Sequence, residues 1–175
     1  DLVIKNTLNI TKLYEVITKY LGWSEFEAGK TMGLSSYGKQ DKNIPSLFVN
    51  GRGNSNLFIS NVDSKNLAYK LQQESQELVG DLVEKAIELT GQTNVCITGG
   101  YGLNCVANYY MLKRFPNINF YHEPLAHDAG NSIGAALYRW YEHSGDTTIR
   151  PRKTLYNGPQ YTQDQLINGI KKYIN

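Results

Sequence analysis

Between Val95 and His143 the sequence runs strand, turn, helix and then strand, loop, helix, a double alternation that few folds accommodate. Val95-Cys96-Ile97-Thr98 is a short β-prone run. Gly99-Gly100 follows, and then a helix-like stretch from about Leu103 to Phe115 that Pro116 closes. Ile118-Asn119-Phe120-Tyr121 reads as the next strand and Glu123 to Gly130 as loop. Ser132 to His143 reads as helix through Ile133, Ala135, Ala136, Leu137 and Trp140. Strands joined by helices lie parallel in one sheet, and ligands of such sheets sit at the loops leaving the strands' carboxyl ends. Both Gly99-Gly100 and Asp128-Ala129-Gly130 occupy such loops. The expected class is α/β, with a mixed sheet flanked by helices.

The preceding half is mostly helical in pattern. Ile10, Leu13, Val16, Ile17 and Tyr20 recur at helical spacing over Asn6 to Leu21, with Gly22 placed to cap the end. Ser24 and Glu27 have capping-box spacing, which predicts a short second helix from Ser24 to about Met32. Leu47-Phe48-Val49 and Leu57-Phe58-Ile59-Ser60 read as a hairpin across Asn50 to Asn56. Leu67, Leu71, Leu78, Leu82, Ala86 and Leu89 then mark a long helix, with Ser64 as candidate cap and Gly91 past its end. A loop-rich tail around Pro151 and Gly158-Pro159 leads to a last helix opened by Thr162 and Gln165, again at capping-box spacing.

Composition excludes several classes. A formal charge of +2 on 175 residues supplies no broad basic field, so phosphate-driven nucleic-acid binding is not expected. No apolar run reaches the roughly 18 residues of a membrane-spanning helix, and no membrane partner is expected. Two cysteines, Cys96 and Cys105, cannot build a disulfide framework; they lack zinc-site spacing and are expected as core thiols in a cytoplasmic protein. The chain opens at Asp1 without methionine, so further sequence upstream is expected.

Several residues have both a structural and a functional reading. Gly99-Gly100 is either a tight turn or a place where backbone approaches a nucleotide, although the glycine spacing is neither a Walker loop nor a dinucleotide fingerprint. Asn104 is either a helix cap or a reader of a ribose or base edge. Asp128 is either a cap or a carboxylate for a cation. Lys30, between Gly29 and Gly33, is a solvated lysine or a contact for an anionic ligand. His122, His127 and Asp128 together make a weak transition-metal set, because nothing in the sequence aims both histidines at one point. Tyr109, Tyr110, Tyr138 and Tyr141 fall at helical spacing and are expected to pack.

Three segments in order resemble one family. They are Glu27-Ala28-Gly29-Lys30-Thr31-Met32-Gly33-Leu34-Ser35-Ser36-Tyr37-Gly38, Thr98-Gly99-Gly100-Tyr101-Gly102-Leu103-Asn104-Cys105-Val106-Ala107-Asn108, and Glu123 through Leu137 with Ala126-His127-Asp128-Ala129-Gly130-Asn131-Ser132. They resemble the nodulation-type O-carbamoyltransferases. Gly158-Pro159-Gln160-Tyr161 is similar to the segment following that family's first domain. The resemblance implies half of an actin, sugar-kinase and Hsp70-like (ribonuclease H-like) ATPase domain over residues 1–161. Residues 162–175 would then lead toward a carboxyl-terminal adenylate-forming domain outside the chain, with the first lobe outside it as well.

Family enzymes make a carbamoyl adenylate from ATP and carbamoyl phosphate, then move the carbamoyl group to a substrate hydroxyl. The resemblance implies that this chain serves the second step, for a hydroxyl-bearing small-molecule acceptor, and is inactive without the first lobe. It implies that Gly99, Gly100 and Asn104 line the adenylate pocket and that Asp128 is the carboxylate ligand of a divalent metal, iron in some members. His127 would face the acceptor. The family's two histidine metal ligands lie in the first lobe, and no pair here replaces them. Tyr101-Gly102 stands where Val-Ala is usual, and His127 where glycine is common. Two alternatives remain: a noncatalytic nucleotide-binding or assembly module, and the related proteins of tRNA threonylcarbamoyladenosine synthesis.

Overall fold

A computed structural model describes residues 9–149, 154–155 and 158–174. The chain divides into two compact units, Asp1–Ala135 and Ala136–Asn175. In the first, α1 (Ile10–Tyr20) buries Ile10, Tyr14, Ile17 and Thr18, one stripe at helical spacing. Gly22 takes a φ of 94° just past its end, as a left-handed stop requires. Residues 6–8 of the expected helix lie outside the described residues.

The Ser24–Glu27 capping box forms, but it caps a 3-10 turn, Glu25–Glu27, and α2 (Ala28–Ser35) follows from it. This helix continues beyond Met32 because serines satisfy its last carbonyls: Ser35 Oγ donates to Met32 O at 2.6 Å and Ser36 Oγ to Gly33 O at 2.8 Å. Thr18 and Thr31 share a buried hydroxyl–hydroxyl bond of 2.8 Å that ties α1 to α2.

The hairpin is tighter than the apolar runs suggested. β1 (Phe48–Val49) pairs antiparallel with β2 (Arg52–Gly53), not with Leu57–Ser60. Asn50 and Gly51, at φ 51° and 74°, make a two-residue turn of the primed type, which fixes the register at once. Asn54 N–H extends the ladder to Leu47 O at 2.8 Å, and Phe58 is left 80% exposed.

α3 (Ser64–Thr90) is capped by Asp63, one residue before the expected serine; its carboxylate accepts from Lys65 N–H at 2.7 Å. Gly91, at φ 65°, ends it as expected. Leu67 and Leu71 join Ile10, Tyr14, Ile17, Ile44, Leu47 and Phe48 in the core. Glu74 Oε2 accepts from Leu47 N–H at 2.7 Å and Phe48 N–H at 3.2 Å, fastening β1 to α3. The buried stripe of α3 then turns polar, through Gln72, Ser75 and Gln76.

β3 (Asn94–Ile97) and β4 (Asn119–His122) are parallel, paired from Asn94↔Asn119 to Ile97↔His122. The connecting α4 (Cys105–Arg114) buries Ala107 and Met111. The parallel α/β alternation is therefore present. The described strands, however, make two separate two-stranded sheets in place of one mixed sheet.

Side chains alternate across β3 and β4. Val95, Ile97, Phe120 and His122 are half-buried, while Cys96 and Tyr121 are exposed. Cys105, on the first turn of α4, is exposed as well, so neither cysteine is a core thiol. Tyr109 and Tyr138 are also exposed rather than packed.

α5 (Gly130–Ser144) spans the boundary between the units. Gly130 is needed at its start, because a Cβ there would meet Leu125 O at 2.3 Å. Within the second unit, Tyr141 donates to Thr148 O at 3.2 Å. There α6 (Gln163–Lys171) carries the expected Thr162–Gln165 capping box. Leu166, Ile167 and Ile170 of α6 are exposed, and Pro151 lies outside the described residues. No helix among the described residues is long and apolar enough to cross a membrane.

Candidate functional site

The loop leaving β3 is built by its glycines. Gly99 sits at φ 90°, a conformation that strains any other residue, and its carbonyl accepts from Gly102 N–H at 2.8 Å. A 3-10 turn, Gly100–Leu103, delivers the chain to Asn104. A Cβ on Gly99 or Gly100 would meet nothing within 4 Å, so both backbones face open space. Gly102 differs: it is buried, with Ala126 Cβ 3.2 Å from the position a Cβ would take.

Asn104 caps α4, its Oδ1 accepting from Ala107 N–H at 2.9 Å. The same side chain exchanges two bonds with Gln72 of α3: Asn104 Nδ2 donates to Gln72 Oε1 at 3.0 Å, and Gln72 Nε2 donates back to Oδ1 at 3.2 Å. Tyr14 OH donates to the same Gln72 Oε1 at 2.9 Å, and Gln72 Nε2 also donates to Gln76 Oε1 at 3.2 Å. Tyr101 OH donates to Ser75 Oγ at 3.0 Å. Burial raises the Tyr101 phenol to about 12. Burial also pushes Tyr14 well above its usual range, with Tyr101 adding to the shift and the Asn104 amide opposing it. Both stay neutral donors at physiological pH.

Above this polar floor opens a cavity of about 510 Å³, within the size range of small-molecule sites. Its lining takes Thr11 and Tyr14 from α1 and Ala28, Gly29 and Met32 from α2. Gly100, Tyr101, Leu103 and Asn104 come from the loop after β3, and Glu25 and Phe26 from the first 3-10 turn. Of the residues singled out in the sequence, Gly100 and Asn104 thus meet in one cavity. Gly99 adjoins it, while Lys30, His127 and Asp128 are not among its lining.

Lys30 is exposed and paired with Glu27, and that bond holds the Glu27 carboxyl below its usual range. His127 is exposed, and its Nδ1 accepts from Ala129 N–H at 3.2 Å. The neutral ring therefore carries its proton on Nε2 and offers a donor to solvent. Asp128 is exposed, and its carbonyl accepts from Asn131 N–H at 3.0 Å as α5 begins. Among the described residues no three of histidine, cysteine, aspartate and glutamate converge as a metal site. Asp128 is therefore not joined by two further such ligands among the described residues.

Tyr14, Gln72 and Phe26 were not anticipated from the sequence. Gln72 had a local signal: it follows Leu71 directly inside a helix of regular apolar repeat, where a polar residue in the stripe demands a partner. His122 is a further departure. Its ring stacks on Phe120 at 5.8 Å, and both nitrogens are closed off without a partner among the described residues. Burial lowers its pKa from the ordinary value.

Residues 52–137, which carry the glycine loop, Asn104 and Asp128, match the family profile of the carbamoyltransferase N-terminus. The chain is 26% identical over 179 residues to the nodulation protein NolNO of Sinorhizobium fredii, covering 89% of this chain and 26% of that protein. It is 25% identical over 170 residues to NolO of Bradyrhizobium diazoefficiens, covering 84% and 31%. It is also 32% identical over 109 residues to an uncharacterized Synechocystis protein, sll1178, covering 60% and 18%. The chain is thus similar to the carbamoyltransferase N-terminus over residues 52–137 and to the nodulation proteins NolNO and NolO over most of its length. It spans between 18% and 31% of the length of these relatives.

Proposed function

We propose that this chain is the part of an O-carbamoyltransferase that holds a carbamoyl adenylate, made from ATP and carbamoyl phosphate, while the carbamoyl group passes to a substrate hydroxyl. The observation that carries this reading is the open backbone of Gly99 and Gly100 beside the cavity, inside the very segment that matches the family. In the transfer, the hydroxyl oxygen bonds to the carbamoyl carbon, the carbon–oxygen bond to the phosphate breaks, AMP leaves, and the hydroxyl proton passes to a base. His127, with its Nε2–H outward, is suited to donate a hydrogen bond to the acceptor rather than to take that proton. Asp128 is proposed as a single carboxylate ligand of a divalent metal, iron among the candidates, whose other ligands come from outside the chain. The fold is proposed to be half of an actin-like ATPase domain, and turnover to need a first lobe and an adenylate-forming domain.

Turnover is tested by supplying the full chain, alone and mixed with the remaining segments of a longer relative, with ATP, labelled carbamoyl phosphate and hydroxylated acceptors. Label is expected to reach an acceptor only in the mixture, and Gly100→Val, which fills the open space over the loop, is expected to abolish transfer. Equal transfer by the Gly100→Val chain would falsify the assignment.

A further inference from the structure

We propose that a second cavity, on the other flank of α1, binds a small organic anion with an aliphatic body, its charged head held by Lys12 and Arg52 and its chain lying along Leu13 and Val16. This site is separate from the one that serves the adenylate reading and does not depend on it.

The first observation is where the cavity lies. It measures about 560 Å³ and is formed where the hairpin meets α1. Asn9, Lys12, Leu13 and Val16 line it, at steps of three, four and seven residues, so they share one flank of the helix. Thr11, Tyr14 and Glu15 line the cavity beside the glycine loop, and at 100° per residue they lie about half a turn away. Arg52 and Gly53 of β2 complete the hollow. A Cβ on Gly53 would lie 3.7 Å from Leu13 Cδ1, so the strand is seated against the helix, and the two-residue turn at Asn50 and Gly51 fixes how it arrives.

The second observation is its chemistry. The lining carries two cations and, among the described residues, no carboxylate, whereas Glu15 and Glu25 line the other cavity. Lys12 pairs with Glu15 at 3.0 Å, but both side chains are exposed, and such surface pairs contribute little, so an arriving anion competes for the ammonium. The start of α1 adds positive potential: Asn9 stands at the N-cap without a side-chain bond to the first turn, and that turn has no acidic residue. Beside these charges Leu13 is half-buried and Val16 is 48% exposed. An inorganic anion leaves that apolar strip wet, and a neutral alcohol leaves the cations without a charged acceptor. An anion carrying a short aliphatic chain satisfies both.

The test titrates the full chain calorimetrically with butyrate, hexanoate and octanoate, with hexanol and inorganic phosphate as controls. Affinity is expected to rise about twofold per added methylene, roughly half the fourfold of full burial, because the hollow is open. Hexanol is expected to bind at least about tenfold more weakly than hexanoate, having lost the charge-assisted bonds, and inorganic phosphate likewise for want of apolar contact. Arg52→Gln and Lys12→Gln are each expected to weaken octanoate by roughly fivefold, and Val16→Asn to flatten the gain with chain length. Octanoate that does not bind, or binds no more tightly than butyrate, overturns the proposal on the unaltered chain alone. Hexanol matching hexanoate, or octanoate affinity unchanged in both charge variants, overturns it as well. None of these outcomes bears on carbamoyl transfer, so either reading can fail alone.

Discussion

Asn104 joins a helix cap to a buried amide pair, and the two roles can be separated by substitution. Asn104→Ala removes the Oδ1 that accepts from Ala107 N–H, a loss worth about 1 kcal/mol at an N-cap. It also strips Gln72 of both bonds to Asn104, although Tyr14 and Gln76 still hold that side chain. A buried amide left short of a partner costs roughly 1–3 kcal/mol, so the whole effect should reach about 2–4 kcal/mol. Asn104→Asp keeps the cap and gains from the helix dipole, but it turns the Nδ2 donor into a second acceptor facing Gln72 Oε1. A residue that only capped would tolerate that change; here it should cost about 1–3 kcal/mol. The measurement is urea unfolding followed by circular dichroism, for Asn104→Ala, Gln72→Met and the double variant. The cycle should return a coupling of roughly 1–2 kcal/mol, since the residues bond directly. A coupling within about 0.3 kcal/mol of zero, or an Asn104→Asp chain as stable as the parent, refutes the network as a determinant of stability.

Three other outcomes follow from single contacts. Gly38→Ala places a Cβ 2.1 Å from Lys65 O and 2.5 Å from its carbonyl carbon, both backbone atoms, so the midpoint of urea unfolding should fall by the equivalent of about 1–3 kcal/mol or more. Tyr101 titrates at about 12 in the folded chain against an ordinary 10.0, so the folded state holds its proton more tightly. Its contribution is complete below about pH 10 and is lost as pH rises toward 12, at most roughly 3 kcal/mol, and Tyr101→Phe should flatten this alkaline loss in a melting series. His122 has a folded pKa below its ordinary value through burial, so its contribution is present above about pH 6.5 and is lost as pH falls through that range. The His122→Phe chain should melt with less dependence on pH between about 7 and 5, and an unchanged slope would remove His122 as the cause.

What the sequence revealed was whatever local rules decide. The capping boxes at Ser24–Glu27 and Thr162–Gln165 and the left-handed stop at Gly91 each depend on a few neighbouring residues, and the parallel pairing of β3 with β4 follows from the order strand, helix, strand. The second hairpin strand was misplaced because hydrophobicity favoured Leu57–Ser60, while the positive φ of Asn50 and Gly51 closes the turn earlier. The exposed cysteines depend on which face of β3 and which side of α4 stays uncovered, and the strand pattern alone does not specify that. The cavity was hidden for a plainer reason. Tyr14 meets Gln72 across 58 positions and Gln72 meets Asn104 across 32, so no window of sequence contains the site.

The two readings of Asn104, cap and ligand reader, are not rivals in the folded chain, and their overlap limits what this residue can do for a ligand. Its Oδ1 already accepts two N–H groups and its Nδ2 already donates to Gln72. A ligand that took either bond to Gln72 would leave that side chain short of a partner in a buried setting, so recognition through those two bonds gains little. Its effect on the cavity is instead to fix Tyr14 and the start of α4 on opposite sides of one amide pair, giving the hollow a set width before anything binds. Gln72→Met, which keeps the volume and removes the pair, should therefore lower AMP affinity even though Gln72 does not line the cavity. Unchanged AMP affinity in a Gln72→Met chain of normal fold would show that the width of the hollow does not depend on this pair.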